Sequence, residues 1–274
     1  MKGKLIISLI VAFSIAFLSY GQPAESNVLD GAFKRATTVE KEILPYDHLR
    51  EADAFWEKRV WRVIDVREKM NLPFAYPKEP FIDILLEAAE NGEATLYDPI
   101  DDEFTEVITV EELQNKLGGV DTVPIIDPDT YEETFEIVNN DFDPASVTKF
   151  RLKEVWVFDE ERAMLVVRIL GIAPIEDVYD DNGNYRGQRP MFWVYYPELR
   201  TALSAREAFN PFNDAIRMSW EDILEMRMFS SYIYKESNVY DRRIQDYATG
   251  VDALYESDRI KNEIMLKEHD LWTY

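Results

Sequence analysis

The stretch from Val147 to Tyr196 constrains the fold more than any other part of this chain. It holds three apolar runs: KFRLKEVWVF (Lys149 to Phe158), AMLVVRILGI (Ala163 to Ile172) and MFWVYY (Met191 to Tyr196). Each has strand length and is rich in β-branched and aromatic residues. DEER (Asp159 to Arg162) joins the first two, and the polar YDDNGNYRGQRP joins the second to the third, which predicts an antiparallel meander. A four-residue turn and a tight turn at Glu160-Glu161 give one pairing, Phe158 opposite Ala163 and Trp156 opposite Leu165. Two glutamates suit the positive φ of a tight turn poorly, which favours the longer one. One face then carries Phe150, Leu152, Trp156, Phe158, Leu165, Val167 and Ile169, and is the predicted core. The other carries Arg151, Lys153, Val155, Val157, Val166 and Arg168. Glu154 falls on the core face opposite Val167, as an active-site carboxylate, a sheet-end residue or the partner of a neighbouring arginine.

A core of this kind suits the composition: 46% of the 274 residues are hydrophobic and 13% aromatic, well clear of disordered chains. The formal charge of −23 argues against nucleic acid or an anionic membrane as the main partner and favours a basic protein surface. With no cysteine in the chain, disulfides and thiolate metal sites are unavailable.

The first residues predict export. Lys2 and Lys4 precede the mostly apolar run Leu5 to Leu18, and Ser19-Tyr20-Gly21 offers small residues for cleavage before Gln22. The run is too short to span a bilayer and reads as a signal peptide. No cysteine follows the cut, so no lipid anchor is expected. Losing two lysines takes the formal charge from −23 to −25.

The expected organisation is a signal peptide (1–21), a flexible arm (22–45), a main α+β domain (46–236) and a helical C-terminal extension (237–274). Within the main domain, Asp47 to Met70 fits a helical wheel, with Leu49, Phe55, Trp56, Val60, Val63, Ile64 and Val66 on one side. Trp61 falls among acids on the polar side. It is either covered by a loop or an exposed anchor for a partner, and with Arg62 it forms the candidate partner interface. Glu79 to Asn91 reads as a helix closed by Gly92, and Ala94 to Tyr97 and Phe104 to Ile108 as short strands. Thr109 to Leu117 reads as a helix with a Thr109/Glu112 capping box, and Val120 to Ala145 as an extended acidic segment. Pro197 to Phe209 and the run WEDILEMRMFSSYIY after a Ser219 cap are read as helices. Two weaker helical stretches follow, YDRRIQDY and VDALYESDRIKNEIMLKEH. Helices, then strands, then helices indicate α+β.

Catalytic patterns are scarce. The two histidines, His48 and His269, lie near opposite ends of the chain, and no phosphate-binding loop, dinucleotide glycine pattern, GxSxG or HExxH occurs. DDNGN at Asp180 to Asn184 fails as a calcium loop, since alignment on Gly183 puts Val178 and Arg189 at ligand positions. No catalytic residue, cofactor or metal is therefore assigned. Carboxylate pairs for glycoside hydrolysis stay open, because 53 acids make some pair inevitable.

WEKRVWRVIDVREKMN (Trp56 to Asn71) resembles the most recognisable motif of the GldN/PorN gliding-motility family. The resemblance continues through FRLKEVWVFDEERAMLVVRILGIAP, RPMFWVYYPELR, AFNPFNDAIRMSWEDILEMRMFSSYIYKESN and VYDRRIQDY. It implies a periplasmic, non-enzymatic structural subunit of the type IX secretion system. Its implied partners are a GldK/PorK-like outer-membrane lipoprotein, in rings beneath the outer membrane, and the periplasmic part of a GldM/PorM-like motor protein. The resemblance brings no catalytic residue. The reading from another class is an exported carbohydrate-active hydrolase with a carboxylate pair near the aromatic meander. A deep cleft with two facing acids would favour it.

Overall fold

The computed structural model describes residues 41–100, 102–117, 120–126, 133–139, 142–180, 183–211, 213 and 215–271. The predicted signal peptide and most of the predicted arm lie outside them. In chain order the elements are β1 (Ala54–Asp65), α1 (Phe81–Glu90), β2 (Leu96–Tyr97), β3 (Val107–Ile108), α2 (Val110–Leu117), β4 (Val120–Ile126), β5 (Glu133–Asn139), β6 (Lys149–Asp159), β7 (Met164–Tyr179), β8 (Tyr185–Pro190), β9 (Trp193–Tyr195), α3 (Tyr196–Ala205), β10 (Glu207–Ala208), β11 (Met218–Ser219), α4 (Trp220–Glu225), β12 (Tyr232–Glu236) and α5 (Val251–Leu271). The fold is α+β. An eight-stranded sheet runs β12-β1-β6-β7-β9-β2-β3, with β8 also paired to β7. All of its pairings are antiparallel. Strands β4 and β5 pair as a separate two-stranded sheet.

The meander is present, with its register moved by two residues. Asp159 pairs with Met164, Phe158 with Leu165 and Trp156 with Val167. The turn is Glu160 to Ala163 rather than Asp159 to Arg162. The Asp159 carboxylate accepts from the amides of Glu161 and Arg162, and Ala163 takes the left-handed conformation at φ 52°. A shift of two preserves the faces, so Phe150, Leu152, Trp156, Phe158 and Ile169 are buried as expected. Strand β7 also runs on to Tyr179, and β8 pairs back onto it. The polar stretch joining the second and third runs is therefore largely strand.

The helix predicted over Asp47 to Met70 is instead β1, a central strand between β12 and β6. Five consecutive residues, Val60 to Ile64, are buried, because both faces of the strand are covered at that end. Burial on both faces removes the alternation that marks a strand, and the remaining apolar residues fit a wheel by chance. The run after Ser219 also divides. Helix α4 stops at Glu225, Arg227 turns the chain at φ 56°, and Tyr232 onward becomes β12. YDRRIQDY contributes only a 3-10 turn, Ile244–Asp246.

Other local readings hold. Gly92 ends α1 at φ 73°, with its amide on the Ala89 carbonyl and Glu93 on that of Ala88, the left-handed stop that glycine adopts most easily. Thr109 and Glu112 exchange both capping-box hydrogen bonds, at 3.1 and 3.2 Å.

Helices α1, α3 and α4 pack one face of the sheet. Phe74, Phe81, Phe150 and Trp220 form an aromatic knot there, with ring centroids 4.6–5.6 Å apart. On β12, β1 and β6, Ile260 and Ile264 of α5 join Val60, Trp156 and Ile233 in one buried cluster. Ser257 of α5 accepts from the Ile233 amide at 2.8 Å, which satisfies a donor on an edge strand. The predicted C-terminal extension thus shares the core of the sheet.

Candidate partner cleft

Strand alternation puts the residues of β1 and β6 on two surfaces. Val60, Arg62 and Ile64 share the helix-backed face with Leu152 and Glu154, their cross-strand neighbours. Arg59, Trp61 and Val63 share the opposite face with Val155, Lys153 and Arg151. The two candidate interface residues therefore stand back to back.

Arg62 is 5% exposed and Glu154 fully buried. Arg62 Nε donates to Glu154 Oε2 at 3.0 Å, Trp156 Nε1 to the same oxygen at 3.1 Å, and Arg227 Nη2 lies 2.9 Å from Oε1. Burial pulls the Arg62 guanidinium below its usual range, with Glu154 opposing it. Of the sequence alternatives for Glu154, pairing to arginine is the one present. Backbone bulges flank the network, between Trp61 and Arg62 against β12 and between Lys153 and Glu154 against β7. A bulge re-aims side chains within a ladder, and here both sit where charge enters the sheet interior.

Trp61 faces the other way. It is 6% exposed and packs with Ala173, Trp193, Tyr97, Phe104 and Tyr234. Lys235 Nζ lies 4.5 Å and Lys153 Nζ 5.7 Å from its ring centroid, close enough for cation–π attraction. Gly171 makes room for this cluster. A side chain there would meet the Phe104 ring at 2.5 Å.

This second face opens into a cleft of about 1120 Å³. Trp61, Trp193, Arg151 and Lys153 line it, together with the 98–103 loop, the 237–243 loop, and residues 188–191 leading into β9. Six cations reach the cleft, Arg59, Arg151, Lys153, Arg189, Lys235 and Arg243, in a chain whose formal charge is −23. Lys153 donates to the Asp102 carbonyl, Lys235 pairs with Asp241 and Arg189 with Glu176. Arg151 differs. Its guanidinium carbon lies 4.4 Å from the centroid of the Tyr234 ring, with Arg243 at 5.6 Å from the same ring. Neither has a carboxylate partner among the described residues. Burial pulls the Arg151 guanidinium below its usual range, and Arg243 adds to that.

Sequence reasoning placed Arg151 and Lys153 on one face but gave them no role, and it missed Tyr234, Lys235 and Arg243 altogether. The signal was the alternation FRLKEVW, which sets two cations opposite an apolar face. What it lacked was the neighbour, since Trp61 and Tyr234 come from strands separated from β6 by long stretches of chain. The hydrolase reading gains no support here. Asp102, Glu176 and Asp241 of the cleft pair with Lys153, Arg189 and Lys235.

A sheet backed by helices on one face, with a cleft lined by charged and aromatic residues on the other, defines an α+β protein. The family model of the gliding motility associated protein GldN matches residues 49–273, and the chain belongs to that family. It is accordingly a component of gliding-motility and type IX secretion machinery. Comparison with curated proteins gave no match. No helix among the described residues is long and apolar enough to cross a membrane.

Proposed function

We propose that the chain, cleaved before Gln22, is a non-enzymatic structural subunit in the periplasm, assembled in a ring with a GldK/PorK-like outer-membrane lipoprotein. The GldM/PorM-like motor domain is its second partner. The family match over residues 49–273 carries this reading. The cleft is compatible with it, because its cations and rings suit contact with a protein partner. Trp61 acts as a partner contact from the cleft wall, and Arg62 supports it from behind by holding the bulge in β1 through Glu154. An envelope pull-down with tagged chain tests the assignment. The lipoprotein should co-purify, in annular particles under the electron microscope. Recovery of the chain alone from gently solubilised envelopes would sink it.

A further inference from the structure

We infer that the cleft takes an extended polypeptide segment bearing carboxylates interspersed with apolar side chains. This rests on the reading of the cleft as a binding surface, not on the secretion assignment. Two observations converge on it. Arg151 and Arg243 both lie over the Tyr234 ring, and neither guanidinium forms a direct ion pair with a carboxylate of the described residues, Asp102 acting on Arg151 only from a distance. Holding like charges together in this way is unfavourable until an anion bridges them, and a carboxylate matches the guanidinium fork. Finally, the cleft carries apolar groups at its mouth as well as its floor. Ile100 is 94% exposed on one lip, and Val239 is 98% exposed in the loop forming another.

The same features select against other anions. A nucleic acid or an anionic bilayer presents a continuous row of phosphates. Asp98, Asp102, Glu103, Glu176 and Asp241 around the cleft confine a favourable anion to the Arg151 and Arg243 pair, which a spaced carboxylate can meet and an unbroken row of phosphates cannot. A peptide can set its carboxylates at the paired arginines and its apolar side chains against Ile100 and Val239 on the lips.

Fluorescence anisotropy with purified mature chain tests this. The probe is a short labelled peptide alternating glutamate and valine, and the control has glutamine for glutamate. The glutamate peptide should bind, the glutamine peptide about tenfold more weakly or worse, and added salt should weaken only the former. Arg151→Gln with Arg243→Gln should erase the difference while the thermal midpoint stays near that of the parent. Equal binding of both peptides, or none by either, would overturn the proposal. So would binding of phosphatidylglycerol vesicles in preference to the peptide. Should the double variant fail to fold, the glutamate-to-glutamine contrast on the parent chain decides alone. Peptide binding without lipoprotein recovery in the pull-down would leave this inference standing and remove the ring assignment.

Discussion

Glu154 is the residue on which the sheet interior depends most. It is fully buried among two guanidiniums and an indole N–H, and no solvent is at hand to replace any of them. Glu154→Gln keeps the shape and removes the charge, leaving Arg62 and Arg227 uncompensated. Urea denaturation should show a loss of about 3–5 kcal/mol, and adding Arg62→Met should recover part of it. Trp61 gives a different lesson. Its 6% exposure means that Trp61→Ala should cost about 3 kcal/mol in the same assay, so that substitution cannot separate folding from partner binding. Trp61→Phe keeps an aromatic ring near Lys153 and Lys235 and deletes only the indole N–H and part of the area. It should cost about 1 kcal/mol, which makes it the usable partner probe.

Among the elements, α4 is short and relies on its entry. Ser219 and Asp222 form a reciprocal capping box, and Lys41 reaches in from the chain N-terminus to bind Ser219, Glu221 and Asp222. The last residues of the predicted arm are thus tied down, with Arg200 also donating to the Leu44 carbonyl at 3.0 Å. Burial raises the Asp222 carboxyl, but hydrogen bonds from Lys41 and Ser219 outweigh it and hold the group below its ordinary 3.8. A depressed carboxyl stabilises the fold above its unfolded value and loses that contribution as pH falls through the folded one. Asp222→Asn should therefore lower the thermal midpoint at neutral pH, and the gap from the parent should close as the pH falls below the ordinary 3.8 and through the depressed folded value. A gap that persists in acid would mean that capping geometry, not charge, is what Asp222 supplies.

At the scale of the molecule, charge governs association. With the proposed cleavage before Gln22 taking the formal charge from −23 to −25 by the loss of two lysines, copies repel at any contact within about 8 Å, the Debye length at physiological salt. The isolated mature chain should sediment as a monomer or weak dimer, with large assemblies requiring a partner that offers a basic face. Added salt should slow that association more than it speeds dissociation. Stable rings of this chain alone, or association rates indifferent to salt, would refute the charge argument.

The sequence by itself determined the α+β class, the meander and its faces, the stop at Gly92, the Thr109 capping box and the family, because each is written in neighbouring residues or in whole motifs. A period of two survives in β6 because its cleft face begins with the cations Arg151 and Lys153 rather than apolar residues, which is why Phe150, Leu152 and Trp156 are legible as core. Tertiary structure alone decided the rest. Strand β1 lost its period because α5 and the cleft cover its two faces, so the pattern carried no information about which element it was. The two-residue register slip came from Asp159 capping a turn that places Ala163 at positive φ. The cleft depends on Trp61, Arg151, Trp193 and Tyr234 meeting across four strands, and on Arg151 and Arg243 sharing one ring. Such meetings are set by sheet order, which no local pattern encodes.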